Sequence, residues 1–225
     1  MKSTCRKRIL FSFFSALIFL SPALSEAAEA AKAASVDASA SFTDIEGNVY
    51  RTIIIGDQVW MASNFRSGKT AAGIVVPYGR QVRGGTSAPA LYVSNQPGNP
   101  ERENRPVFYN WPGALAVCPT GWHIPTEAEW ERLISYLGAP GHGGEGTAAA
   151  SKATGSGGSS GFDALFTGSW DAGRFFDGGE YAAFWSSTQY PADSRDMWQY
   201  KLDGKAWSRT ALDKRSAFSL RLIKD

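Results

Sequence analysis

Residues 109–138 read YNWPGALAVCPTGWHIPTEAEWERLISYLG, and this stretch carries the clearest fold signal in the chain. Thr126 and Glu129 form a capping box, in which the Thr126 hydroxyl accepts the amide of Glu129 and the Glu129 carboxylate accepts the amide of Thr126. Apolar residues then recur at spacings of three and four, which predicts a helix with one buried face: Trp130, Leu133, Ile134 and Leu137. Gly138 and Pro140 predict the end of this helix.

A shorter helix is predicted just before it. Pro112 suits the first turn of a helix, because its missing amide proton would have no helical partner there. Pro119 and Gly121 predict the end of this helix, and residues 122–124 predict a brief extended link to the next one.

The rest of the folded chain is predicted to consist mainly of short strands and loops. Residues 49–55 are β-branched and apolar enough for a buried strand, and a second strand is predicted over residues 59–62. The last predicted strand covers Phe218 to Ile223. Residues 66–105 and 141–161 are rich in Gly and Ser and are predicted to be loops, which at such lengths are usually functional or mobile.

The first 27 residues differ from the rest and predict a signal peptide. A basic start is followed by an apolar run from Ile9 to Leu20 and then by small residues, with a cleavage site after Ser25 or, preferably, after Ala27. The run has about 12 residues, short of the roughly 20 that span a bilayer, so an uncleaved membrane anchor is the less favoured alternative. Because Cys5 precedes the run, lipid anchoring is not expected. The protein is predicted to be secreted, periplasmic or on the cell surface.

After the signal peptide, residues 28–41 are rich in Ala and Ser and predict a spacer, and residues 42–225 are predicted to form one domain. The signal peptide carries four of the 23 basic residues and one of the 21 acidic ones, which leaves a net charge of −1. No basic surface for nucleic acid can be argued from that balance, and no membrane span is predicted in the mature chain.

Five motifs cover the chain from about residue 42 to residue 225: DIEGNVYRTIIIGDQVWMASN (44–64), CPTGWHIPTEAEW (118–130), GFDAL (161–165), FWSST (184–188) and SLRLIKD (219–225). Taken in order, these motifs resemble the bacterial Fibrobacter succinogenes major paralogous domain family. The first helix and the capped helix also look like the helix pair of sulfatase-modifying, formylglycine-generating domains, which share the C-type lectin-like fold. The resemblance therefore implies an α+β, C-type lectin-like fold with two short helices, small twisted antiparallel sheets and long loops. It also implies that the N- and C-terminal strands pair, through residues 52–55 and 219–223.

One position departs from the family pattern. The family commonly carries a cysteine in its closing strand, which the resemblance would pair with the residue matching Cys118, but Leu222 stands there. Cys118 is the only cysteine after processing, so neither an internal disulfide nor a cysteine metal site is possible. It is expected to be a buried apolar side chain rather than a reactive or intermolecular thiol.

No catalytic set and no metal site are predicted. His123 and His142 are the only histidines, too few and too far apart for zinc, and His123 is expected to be a core or hydrogen-bonding residue. Formylglycine-type oxidation needs two cysteines to hold copper, and Cys118 stands alone. Calcium is the one possible cofactor, through carboxylates on predicted loops, although solvated side chains are the favoured interpretation: Asp171, Asp177, Glu180, Asp193 and Asp196.

The remaining candidates are aromatic residues in the loop-rich second half, which could bind a ligand at the surface: Trp170, Phe176, Tyr181, Trp198 and Trp207. The sequence thus predicts an exported, non-catalytic binding module whose partner is a glycan or an extracellular protein. Two alternatives stay open: an enzyme of the sulfatase-modifying type, and a structural component of the cell envelope. The sequence does not indicate an oligomeric state.

Overall fold

The computed structural model describes residues 41–79, 85–93, 106–138, 148–176 and 178–225. The predicted signal peptide and all but the last residue of the predicted spacer lie outside these ranges. The described chain is mainly β, with thirteen strands in three sheets and three short helices. None of these described helices is long and apolar enough to cross a membrane.

The first sheet joins the two ends of the described chain. Its order is β1-β2-β3-β13-β6, and the strands are β1 (Ser41–Thr43), β2 (Val49–Ile55), β3 (Gln58–Met61), β6 (Trp122–His123) and β13 (Ile223–Lys224). The turn between β2 and β3 requires a glycine, because Gly56 has a φ of 64° and the ring of Tyr136 packs against it.

The second sheet has three antiparallel strands in the order β11-β10-β9: β9 (Ala182–Gln189), β10 (Asp196–Leu202) and β11 (Trp207–Asp213). Both of its faces are covered, which explains why β9 is buried at five successive positions. Tyr200 on β10 faces a cluster around Trp130, whereas Met197 belongs to a cluster around Trp185.

The third sheet has the order β4-β5-β12-β7-β8, in which β8 is an edge strand. Its strands are short: β4 (Leu91–Val93), β5 (Val107–Asn110), β7 (Ser169–Asp171), β8 (Arg174–Phe176) and β12 (Ala217–Phe218).

The helices are α1 (Trp111–Val117), α2 (Glu127–Tyr136) and α3 (Ala148–Thr154). The predicted capping box of α2 is confirmed: Glu129 N donates to Thr126 Oγ1 at 3.2 Å, and Thr126 N donates to Glu129 Oε2 at 2.7 Å. Helix α1 is capped by Asn110, whose side chain accepts the amide of Gly113 at 2.9 Å.

Packing of large aromatic rings supplies the core. Trp130 of α2 lies at the centre of one cluster, with ring centroids 5.0 Å from Trp60, 5.4 Å from Tyr200 and 5.6 Å from Phe184. All four side chains are fully buried, and each contributes about 1.5–3 kcal/mol through removal of apolar surface from water.

The closing segment also buries a charge. The guanidinium of Arg221 is 1% exposed and donates to Asn64 Oδ1 at 2.7 Å and to the carbonyl oxygens of Met61, Phe162 and Asp163. It also lies 4.3 Å from the centroid of the Phe162 ring. Burial lowers the pKa of Arg221 to about 9, and these acceptors stabilise its charged form.

The expected α+β, C-type lectin-like fold is wrong. Strands dominate the described chain, and they assemble into three sheets rather than into small sheets beside two helices. The last strand does enter the sheet of the N-terminal strands, but β13 pairs with β3 and β6 and not with β2. The physical reason is that a single well-capped helix gives a strong local signal, whereas most of these sheets form from short strands paired over long sequence distances.

Three local predictions also need correction. Residues 148–154, inside a predicted loop, form α3, because alanine supports a helix even in glycine-rich surroundings. The predicted loop 66–105 contains β4 and a bridge between Lys69 and Val75. The predicted closing strand is divided into β12 and β13.

Candidate binding surface

The hairpin of β7 and β8 presents one polar face outside the core. Ser169 pairs with Phe176 and Asp171 pairs with Arg174, so these four side chains share one face of the hairpin. A two-residue turn joins the strands, and both of its residues, Ala172 and Gly173, have positive φ values of 47° and 96°. Such a turn fits the twist of a hairpin and fixes the register of this face.

Two aromatic side chains are linked at this face through Ser169. Tyr181, just before β9, places its hydroxyl 2.8 Å from Ser169 Oγ, and Ser169 lies opposite Phe176 in the hairpin. Both rings are half-buried. The surface therefore combines two partly accessible rings with the Tyr181 hydroxyl, which is hydrogen-bonded to the buried Ser169.

A cation lies over each ring. The guanidinium carbon of Arg174 is 4.4 Å from the centroid of the Phe176 ring, and Lys201 Nζ is 4.3 Å from the centroid of the Tyr181 ring. Such contacts stabilise by about 0.5–1 kcal/mol at exposed sites. We refer to Ser169, Arg174, Phe176, Tyr181 and Lys201 as the Arg174–Lys201 surface.

The cations of this surface form no ion pair within the described chain. Among the described residues, no carboxylate forms an ion pair with Arg174 or with Lys201. Asp171 shares the hairpin face, but its Oδ1 accepts a hydrogen bond from Ser216 Oγ at 2.7 Å. The surface can therefore offer hydrogen-bond donors and positive charge to a ligand.

Trp198 belongs to a different place, beside the start of α2. The Trp198 and Tyr190 rings pack edge to face with centroids 4.9 Å apart, and the guanidinium carbon of Arg209 lies 4.5 Å from the centroid of the Trp198 ring. Arg209 in turn contacts Glu127 and lies 3.5 Å from Glu131, so its charge is balanced locally. The structure thus brings together Phe176 and Tyr181 of the predicted site residues and places Trp198 in a separate cluster.

The other two predicted residues, Trp170 and Trp207, are 0% exposed. Trp170 stacks on Tyr92 with centroids 3.8 Å apart, and Trp207 donates from Nε1 to Thr154 Oγ1 at 3.0 Å. In this conformation neither ring can meet a ligand at the surface, because strand alternation turns both toward the core.

The two cations, Arg174 and Lys201, were not identified as site residues from the sequence. Arg174 could have been found, because it stands two positions before Phe176 on one strand and so shares its face. The contact of Lys201 with Tyr181 could not have been predicted from the sequence, since it depends on the packing of β10 beside the segment that precedes β9.

His123 links α2 to the end of the described chain. Its Nδ1 lies 2.7 Å from Asp225 Oδ1 and its Nε2 lies 2.9 Å from Glu129 Oε1, which confirms the expected hydrogen-bonding histidine. Burial opposes the charged ring, but the hydrogen bonds to Glu129 and Asp225 outweigh that effect and raise the pKa of His123. His142 lies outside the described residues.

Cys118 is half-buried against the core cluster that contains Trp122 and Leu222. Its Sγ is 3.2 Å from the carbonyl oxygen of Trp122, and burial raises the pKa of the thiol to about 11. Because the thiolate is the reactive form, such a thiol is a poor nucleophile at neutral pH.

The possible calcium ligands are dispersed or already engaged. Asp193 accepts from the guanidinium of Arg195, with Nη2 at 2.6 Å, and these bonds lower the pKa of Asp193 to about 2. Asp177 lies outside the described residues. Within the described ranges, no three His, Cys, Asp or Glu side chains gather as a metal site would require.

The comparisons with known proteins bear on the whole domain. No curated protein and no solved structure matches the chain. The model of the Fibrobacter succinogenes major domain family matches residues 53–224, a range that spans the closing half of β2, all three helices and the Arg174–Lys201 surface. With three quarters of its length matched in this way, the chain belongs to the Fibrobacter succinogenes major domain family.

Proposed function

We propose that this chain is an exported, non-catalytic binding module that recognises a glycan or an extracellular protein at the Arg174–Lys201 surface. The observation that carries the proposal is the pair of half-buried rings, Phe176 and Tyr181, each with a cation over its face. The Tyr181 hydroxyl, 2.8 Å from the buried Ser169 Oγ, adds a polar group beside them. Clusters of aromatic and cationic side chains at a surface are typical anchors for ligands.

The surroundings of His123 and Cys118 support a binding role rather than a catalytic one. Both ring nitrogens of His123 are engaged by carboxylates, and the raised pKa of Cys118 keeps its thiol protonated. A general base or a nucleophile needs the opposite arrangement, with a free lone pair aimed at a substrate.

A binding panel tests the proposal. The purified protein is presented to immobilised polysaccharides and extracellular proteins, beside the variant Phe176→Ala and the matched control Tyr190→Ala, another half-buried aromatic residue in the separate cluster. We expect at least one partner to bind, with an affinity that falls about tenfold or more in Phe176→Ala, as for a central anchor residue. Tyr190→Ala should retain the affinity.

Two results would overturn the proposal. One is equal binding by both variants to every partner, with thermal unfolding showing that both are folded. The other is the absence of any partner together with measurable turnover of a substrate by the purified protein.

Export is tested separately, by the mass of the protein recovered outside the cytoplasm of a bacterial host. Processing after Ala27, or after Ser25, should give a shortened chain. An intact chain found only in the cytoplasm would refute export.

A further inference from the structure

We infer that the ligand of the Arg174–Lys201 surface is an acidic polysaccharide, whose carboxylate or sulfate groups bind Arg174 and Lys201. This inference rests on the proposed function and narrows its ligand class. It depends on three features of the surface: its cations have no carboxylate partner in the described chain, its rings each lie under a cation, and the edge strand β8 is short.

The two cations combine two properties: neither pairs with a carboxylate of the described chain, and each lies over an aromatic ring. Five other cations of the described chain do have a carboxylate partner: Arg132 with Asp57, Arg195 with Asp193, Arg209 with Glu127, Arg215 with Asp213 and Lys69 with Glu46. Within the same described ranges, Arg174 and Lys201 have no such partner. An anionic ligand would supply the missing charge.

The rings act as supports for these cations. Arg174 lies 4.4 Å above Phe176 and Lys201 lies 4.3 Å above Tyr181, so each cation covers one face of its ring. A sugar cannot stack on a face that a cation occupies. Holding a long side chain in one orientation lowers the entropy lost on binding, and the donors directed away from the ring stay available for an anion.

The local structure favours a polysaccharide over an acidic peptide. A peptide would bind most readily by adding a strand to the sheet edge, but the edge strand β8 has only three residues and offers few backbone groups. The Tyr181 hydroxyl, which lies 2.8 Å from the buried Ser169 Oγ, suits the hydroxyl groups of a sugar chain instead.

Matched charged and neutral polymers test the inference by calorimetry on the full chain. The acidic probes are polygalacturonate and dextran sulfate, and their neutral counterparts are methyl-esterified polygalacturonate and unmodified dextran. Poly-L-glutamate represents an acidic peptide. The variants are Arg174→Gln and Lys201→Gln, with Arg195→Gln and Lys224→Gln as controls that remove the same charges at exposed positions elsewhere.

We expect at least one acidic polysaccharide to bind and its neutral counterpart not to bind. Each of Arg174→Gln and Lys201→Gln should weaken that binding about tenfold, because each removes a charge-assisted hydrogen bond. The controls should change the affinity less than twofold, and added salt should weaken binding by the native protein.

Different failures have different meanings. Equal binding of a neutral polymer that is still lost in Phe176→Ala would overturn the acidic ligand but leave a binding module. Tighter binding of poly-L-glutamate than of either acidic polysaccharide would overturn the polysaccharide class. Equal affinity of all four charge variants for the acidic probe would overturn the assignment to this surface, and failure of every partner in the wider panel would overturn the proposed function itself.

Discussion

Two buried tyrosines differ in what their hydroxyls contact. The Tyr50 hydroxyl donates to Asp44 Oδ2 at 2.8 Å and accepts the amide of Arg66 at 3.1 Å. The Tyr92 hydroxyl is buried without a hydrogen-bond partner among the described residues, while its ring stacks on Trp170. An unpaired buried hydroxyl costs about 1–3 kcal/mol, whereas a hydrogen bond to a charged group contributes a similar amount.

The substitutions Tyr92→Phe and Tyr50→Phe should therefore have opposite effects on the free energy of unfolding in urea. We expect Tyr92→Phe to leave it unchanged or to raise it by about 1 kcal/mol, and Tyr50→Phe to lower it by about 1.5–3 kcal/mol. A loss of more than about 1 kcal/mol in Tyr92→Phe would contradict this expectation and would indicate that a buried water satisfies the hydroxyl.

Arg221 should be irreplaceable by another cation. Its fork of donors reaches three carbonyl oxygens and Asn64 Oδ1, an arrangement that the single ammonium of lysine cannot reproduce. We expect Arg221→Lys and Arg221→Met each to lower the free energy of unfolding by about 3 kcal/mol or more, because both leave buried carbonyl groups without donors. The exposed Arg51→Lys is the control and should change it by less than about 0.5 kcal/mol. Full stability of Arg221→Lys would show that charge alone suffices.

At the scale of single elements, the cap of α2 can be tested directly. Thr126 Oγ1 accepts the amide of Glu129, and removal of such a cap costs about 1 kcal/mol. We expect Thr126→Ala to lower the free energy of unfolding by about that amount and Thr126→Ser to retain most of it, as measured by urea unfolding followed through helical circular dichroism. Equal losses in both variants would assign the effect to packing of the threonine methyl group.

The link between α2 and the segment after β13 should depend on pH. His123 has its pKa raised above 6.5 by Glu129 and Asp225, so its contribution to stability is complete below pH 6.5 and is lost as the pH rises through the raised value. Burial opposes the ionisation of Glu129, but hydrogen bonds from Thr126 and His123 lower its pKa below 4.5, so its contribution is complete above pH 4.5 and is lost in stronger acid. Together, the two groups give the free energy of unfolding a maximum between about pH 4.5 and 6.5.

We expect His123→Gln to remove the decline in the free energy of unfolding above pH 6.5 and to reduce the loss in acid without removing it, because Thr126 still donates to Glu129. Urea unfolding at closely spaced pH values measures both limbs. The partly exposed position of His123 keeps the effect small. An unchanged decline above pH 6.5 in His123→Gln would assign it to another group.

Some of these elements could be predicted from the sequence and others could not. The limits of α2 and of β2 follow from local signals, namely a capping box and a run of β-branched residues. The Arg174–Lys201 surface was predicted only in its aromatic members, because the hydrogen bond of Ser169 on β7 with Tyr181 joins two segments whose contact no local pattern indicates. The order of the first and third sheets was beyond local reasoning for the same cause, whereas the second sheet is formed by three consecutive strands.

At the scale of the whole molecule, residues 217–224 connect all three sheets. Strand β12 lies inside the third sheet, Ser219 bridges to Phe184 of the second, and β13 lies between β3 and β6 of the first. Leu220 bridges to Phe65 and is fully buried in this connection. Because this short segment supplies a strand to the first and third sheets and a bridge to the second, neither the first nor the third sheet in the described chain is complete without it.

The domain should therefore unfold as one cooperative unit, and a destabilising substitution in this segment should lower the stability of all three sheets together. We expect Leu220→Ala to lower the free energy of unfolding by about 2–5 kcal/mol, with the same shift in tryptophan fluorescence, near-ultraviolet and far-ultraviolet circular dichroism. Leu115→Ala on α1 is the control, because its side chain is 56% exposed and should contribute less than about 0.5 kcal/mol. If the three signals separated in Leu220→Ala, one sheet would be holding its structure without the closing segment, and the connection through residues 217–224 would not be what makes the three sheets cooperative.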